Sequence, residues 1–173
     1  STTASTACGL SPARASKACT TGAAISCGCR VLNAPPWGAT ALRAQAVIYP
    51  WVGISFDHPS YRENAAGPGL TLESMLKFRQ AYLGGEDTDD PRAMPIKARH
   101  FGGLPPALVV TAALDPIRDD GRVYAERLAE AGSDVTYREC PGLLHGFLRA
   151  RLAGPYGRAE FRRICDFLRD ALA

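Results

Sequence analysis

Acidic residues are missing from the first third of this 173-residue chain: Asp57 is the first, although Arg14, Lys17, Arg30 and Arg43 precede it. The formal net charge is nonetheless only +3, and the residues after 56 are nearly balanced, so no basic surface for nucleic acid is implied. Histidine is scarce, with His58, His100 and His145 the only three. Four of the six cysteines, Cys8, Cys19, Cys27 and Cys29, crowd into the first forty residues with no histidine near them. A C-x-C step without a second ligand pair does not match a structural zinc site, so no metal is expected. No run approaches the ~18 apolar residues of a membrane span, and the start lacks the apolar centre of a signal peptide. The chain is therefore expected to be soluble and cytoplasmic.

Periodicity is the next thing the N-terminal stretch has little of. Its first forty residues contain one aromatic, Trp37, and no apolar rhythm at a period of 2 or 3.6. Such a segment buries little surface. Residues 1–41 are expected to be irregular, and either foreign to the fold or disordered, with residues 42–173 forming the domain.

From Leu42 onward the pattern is regular. Ala44 to Tyr49 is a short apolar run closed by Pro50, as in a strand buried in a parallel sheet. A long irregular connection, Trp51 to Leu70, leads to a helix that Thr71 can cap and Gly84-Gly85 can stop, with Leu72, Met75, Leu76 and Leu83 inward. After a proline-punctuated loop, Ala107 to Ala112 reads as a second buried strand. A helix from Asp119 or Asp120 to about Ala131 comes next, then a third strand, Asp134 to Cys140. Gly157 to Leu172 closes the chain as a helix with an apolar stripe of Phe161, Ile164, Phe167, Leu168 and Leu172. Cys140 and Cys165 fall in a strand and a helix, where a cysteine acts as a small buried hydrophobe.

Alternating strands and helices predict parallel βαβ units, whose functional groups gather at the carboxyl ends of the strands. Asp115 comes after the second strand and His145 after the third. Taken singly, each has an ordinary role of equal weight: Asp115-Pro116 as a turn starter, His145 as a packed loop residue. At neighbouring strand ends they can instead pair, the carboxylate holding one imidazole nitrogen protonated while the other is free to take a proton. His58 and His100 lie in loops with no carboxylate arranged around them and are expected to face solvent. Arg118 and Asp119 are expected to form local pairs that fix the turn.

The segments LPPALVVTAALDPIRD (104–119), DDGRVYAERLAEAGSDVTYREC and PGLLHGF resemble the C-terminal part of the hormone-sensitive-lipase-like esterases of the α/β-hydrolase superfamily (fold-3). AQAVIYP, PSYREN, LTLESM and DPRAMPI are similar to that family too, in the expected order from Leu42. The resemblance implies a truncated α/β-hydrolase fold, a parallel sheet with flanking helices behind about forty irregular residues. It implies hydrolysis of short-chain carboxylic esters without metal or organic cofactor, with Asp115 and His145 as the acid and base of a catalytic triad.

The same family pattern requires an H-G-G-G segment for the oxyanion hole and a G-x-S-x-G nucleophile elbow, and neither occurs. The nearest substitute is Ala24-Ile25-Ser26-Cys27-Gly28, where Thr20 to Ala23 make a weak strand and Pro35-Pro36 would cut short the helix that should come next. Two functions are therefore expected to compete: a serine esterase acting on small ester substrates, and a non-catalytic remnant or binding module that self-associates through an open sheet edge as a homo-oligomer.

Overall fold

The computed structural model describes residues 23–25, 42–53, 55–84 and 88–173. Four strands form one parallel sheet in the order of the chain: β1 (Ala23–Ile25), β2 (Ala44–Ile48), β3 (Ala107–Leu114) and β4 (Val135–Leu144). The helices are α1 (Pro59–Glu63), α2 (Leu72–Leu83), α3 (Arg118–Glu130) and α4 (Pro155–Leu172).

Side chains alternate across a strand, so neighbouring residues of β2 and β3 serve opposite cores. Val47 and Val109 pack with Tyr124 and Leu128 of α3 on one face. Ala46, Leu108, Val110 and Ala112 pack with Cys140, Phe147 and Ile164 of α4 on the other. A sheet covered on both sides explains why β2 and β3 read as nearly continuous apolar runs. The one polar residue in β2, Gln45, is fully buried and satisfied: it accepts from the Tyr124 hydroxyl at 3.2 Å and donates to the Pro105 carbonyl at 3.3 Å.

Helix α3 lies close against the sheet because residue 121 has no side chain. A Cβ there would stand 2.3 Å from Cγ2 of Thr111 and 3.3 Å from Cδ of Pro50. The helix begins at Arg118, slightly earlier than its acidic residues suggested, and Ile117 at its N-cap offers no capping side chain. Asp119 and Asp120 lie in its first turn, where negative charge suits the helix dipole. Both reach outward to the connection after β2. Asp119 Oδ2 accepts from the Ser60 amide at 3.0 Å, and Asp120 Oδ1 accepts from the Gly53 amide at 3.1 Å.

Several expectations need correction. Ala23–Ile25 is a strand inside the stretch expected to be irregular, because its backbone pairs with Ala44–Ala46 and a ladder partner outweighs a weak local pattern; the rest of residues 1–41 lies outside the described residues. The Trp51 to Leu70 connection contains α1, held by the Ser60 contacts rather than by its own cap. Thr71 does cap α2, accepting from the Ser74 amide at 3.1 Å, but only Met75 of that helix is buried. Leu76 is 47% exposed, since α2 meets the small cluster of Tyr61, Met75 and Ile117 along a narrow seam. The stripe of α4 is likewise buried only around Ile164, Phe167 and Leu168, with Phe161 and Leu172 exposed.

Cys140 is fully buried, and burial first of all pushes its thiol up to about 12, leaving an unreactive packing group. Cys165 is half-buried and free. No helix among the described residues is long and apolar enough to cross a membrane.

Candidate active site

Register brings the two candidate residues together. Ala112 of β3 pairs with Cys140 of β4, yet Leu114 pairs with Leu144, so β4 holds two extra residues between these points. Such an irregularity bends a strand and re-aims the side chains beyond it. Gly142 absorbs it with φ +67°, a conformation L side chains rarely adopt. Leu114 and Leu144 are then the last paired residues of their strands, and the next residue of each is Asp115 and His145.

Their side chains meet at 2.8 Å, Nδ1 of His145 to Oδ2 of Asp115. The Asp115 side chain is fully buried and that of His145 is 28% exposed. The other carboxylate oxygen, Oδ1, accepts from the Ile117 amide at 3.1 Å, while the Asp115 carbonyl accepts from the Arg118 amide at 3.1 Å and from Nδ2 of Asn64 at 3.3 Å. Every contact locks the acid in one orientation. An imidazole that donates through Nδ1 to this carboxylate keeps Nε2 as its acceptor nitrogen.

The imidazole also lies against the end of a different strand. Its centroid is 4.6 Å from that of Tyr49, edge to face, and Tyr49 is the residue directly after β2. His145 therefore reaches from the end of β4 across β3 to β2. An open cavity of about 420 Å³ lies beside Leu114, walled by the end of α1 and the residues after it, 62–68.

A second acidic layer supports this edge. The side chain of Arg118 bridges Asp119 at 3.0 Å and Glu63 at 2.8 Å, the local pairing expected from the sequence. Burial works to raise Asp119, but donation from Arg118 and from the Ser60 amide outweighs it and holds the carboxyl below its ordinary value. Among the described residues Asp120 has no salt-bridge partner, and burial pushes it up to about 7, against the pull of its hydrogen-bond donors and with help from the Asp115 charge. The buried Tyr61 hydroxyl is likewise raised, by burial first and by Asp120 second.

His58 is half-buried and stacks on Tyr61 with ring centroids 6.4 Å apart, in place of the solvent-facing position expected; His100 is exposed. Ser26 lies outside the described residues, as do Cys8, Cys19, Cys27 and Cys29. Among the described residues no group of three or more His, Cys, Asp or Glu is placed to hold a metal ion. Sequence reasoning missed Tyr49, Asn64 and Asp120. An aromatic closing a buried strand just before proline was the available signal for Tyr49, and nothing local marked the other two.

Comparison with known proteins converges on one family. A family model described as alpha/beta hydrolase fold matches residues 16–149, so the match takes in sequence ahead of Leu42, where the motif resemblance begins. Carboxylesterase NlhH of Mycobacterium tuberculosis is 35% identical over 139 residues, covering 78% of this chain and 44% of that protein. The ethyl acetate hydrolase of Pseudomonas putida is 34% identical over 110 residues, covering 63% and 35%. Among solved structures, a fungal esterase from Rhizomucor miehei superposes with a TM-score of 0.74 at 32% identity, over 82% of this chain and 45% of the other. An esterase of the bacterial hormone-sensitive lipase family shares the fold with a TM-score of 0.78 at 24% identity, over 87% and 52%. The chain spans less than half the length of the curated relatives named here. With a parallel sheet that delivers an acid and a histidine to one edge, this chain belongs to the alpha/beta hydrolase fold family, among relatives that are carboxylesterases.

Proposed function

We propose that the chain carries out carboxylic ester hydrolysis on short-chain acyl esters, with His145 as general base and Asp115 as the acid that orients it. The carrying observation is the 2.8 Å bond from Nδ1 of His145 to the buried Asp115, which leaves Nε2 as the free base. Nε2 accepts the hydroxyl proton as a serine Oγ attacks the acyl carbonyl. The same proton then passes to the departing alkoxide, and water repeats the sequence to free the acid and the serine.

The nucleophile must be a serine, and Ser26 is the nearest substitute for an elbow serine that the sequence offers. All four strands run parallel, so their carboxyl ends share one edge. The imidazole touches the residue after β2, the next strand is β1, and Ser26 comes right after the last residue of β1 in the chain. The cavity beside Leu114 is of a size that suits a small acyl or alcohol group.

The test is covalent. Incubation with an alkyl fluorophosphonate, then peptide mass mapping, is expected to place one adduct on Ser26, lost in His145→Ala. Absence of any serine adduct under conditions that label a known serine esterase would overturn the reading.

A second reading, a non-catalytic module of the same fold that self-associates, draws on the exposed apolar side chains of Leu76 and Phe78 on α2. Sedimentation that shows an inert oligomer, together with no adduct, would favour it.

A further inference from the structure

We propose that Tyr49 is a positioning residue for His145, its ring fixing the tilt of the imidazole that the bond to Asp115 leaves free. Tyr49 has φ +35°, and only it and Phe56 combine a side chain with positive φ among the described residues. For a bulky residue this is a true outlier, and such strain persists only where the surroundings over-determine it. Packing alone does not demand it, since Ala46 and Ile48 serve the same cluster from ordinary strand backbone.

The surroundings show what the strain achieves. The Tyr49 amide still donates to the Val110 carbonyl, at 2.6 Å, extending the ladder one residue past Ile48. The chain then turns away through Pro50, and the Tyr49 ring lies across the strand ends. It meets the His145 ring at 4.6 Å and 61°, and the Phe147 ring at 5.6 Å and 70°. A single hydrogen bond at Nδ1 allows the imidazole to swing about that contact and carry Nε2 with it. The edge-to-face contact on a second side removes that freedom, and Phe147 supports the Tyr49 ring in turn. Geometry within about half an ångström is what a catalytic group requires.

The meaning of this role for catalysis rests on the reading of His145 as general base, but its test does not. Imidazole proton and nitrogen spectra of the ¹⁵N-labelled full chain are expected to show dipolar contacts between the Tyr49 and His145 rings, and a His145 Nδ1 proton protected from exchange with water. Tyr49→Leu should speed that exchange about two- to tenfold, the factor an aromatic pair contact corresponds to. Tyr49→Phe, which keeps the ring, should leave it unchanged. Phe101→Leu is the control for general loosening, because Phe101 is a buried aromatic in the opposite core.

Exchange unaltered in Tyr49→Leu, or raised as much by Phe101→Leu, would overturn the proposal. So would absence of the ring contact in the wild type, which decides the matter even if Tyr49→Leu fails to fold. Ester turnover in the same samples separates the two ideas: an inert wild type that shows the full imidazole signature sinks the esterase reading and upholds the role of Tyr49.

Discussion

Replacing Asp120 by Asn should flatten the pH dependence of folding between pH 5 and 8. Asp120 is buried at the start of α3, accepts a hydrogen bond from the Gly53 amide, and faces the Tyr61 hydroxyl on α1 and the Asp115 carboxylate in the turn, with no salt-bridge partner among the described residues. Burial raises it from 3.8 to about 7. An acid raised in the fold binds its proton more tightly folded than unfolded. Its contribution is therefore intact below about pH 4 and is lost progressively as pH rises to 7, above which the loss is complete. The gap from 3.8 to about 7, at ~1.4 kcal/mol per pH unit, sets an upper bound of roughly 4 kcal/mol, of which roughly 3 kcal/mol falls between pH 5 and 8. Asn keeps the acceptor for Gly53 and cannot ionise. Urea unfolding of both proteins across this range should show the wild type losing stability relative to the variant as pH rises. Parallel curves for the two would refute the reasoning, since Asp120 would then titrate alike in the folded and unfolded chains.

Three further substitutions probe what holds the edge in place. Gly121→Ala puts a methyl group 2.3 Å from Thr111 Cγ2, and overpacking of this kind should lower stability by about 1–3 kcal/mol or more, read as a shifted urea midpoint. Arg138→Met removes the guanidinium that donates through two nitrogens to Glu160, a carboxylate only 2% exposed. A carboxylate left without that partner should cost roughly 3 kcal/mol, relieved in the Arg138→Met, Glu160→Leu double variant. Thr71→Ala removes the cap of α2 and should cost about 1 kcal/mol, again by urea unfolding, with Thr71→Ser close to wild type.

Much of this site was legible in the sequence because strands β3 and β4 advertise themselves. A continuous apolar run, Ala107 to Ala112, and an alternating one, Asp134 to Cys140, give strand ends with the candidate acid and base a few residues beyond them. Other parts depend on partners far along the chain. Strand β1 is three small or aliphatic residues whose identity as a strand comes from pairing with Ala44–Ala46. Helix α1 exists because Asp119, 59 residues later, accepts from the Ser60 amide. The inward face of α2 was misjudged at Leu76 since periodicity gives a face but not how much of it a neighbour covers. Tyr49 could be seen as a strand end, whereas its contact with His145 arises only when the turn after β4 folds back over β2.

The most direct test of the central claim is a steady-state comparison of p-nitrophenyl acetate hydrolysis by the wild type, His145→Ala, Asp115→Asn and the double variant. Two residues that act as one unit should each lower kcat/KM by up to about 10⁴-fold, and the double variant should lose little more than the worse single one. Equal rates in all four proteins, or losses that simply multiply, would contradict the reading of His145 and Asp115 as one acid–base pair.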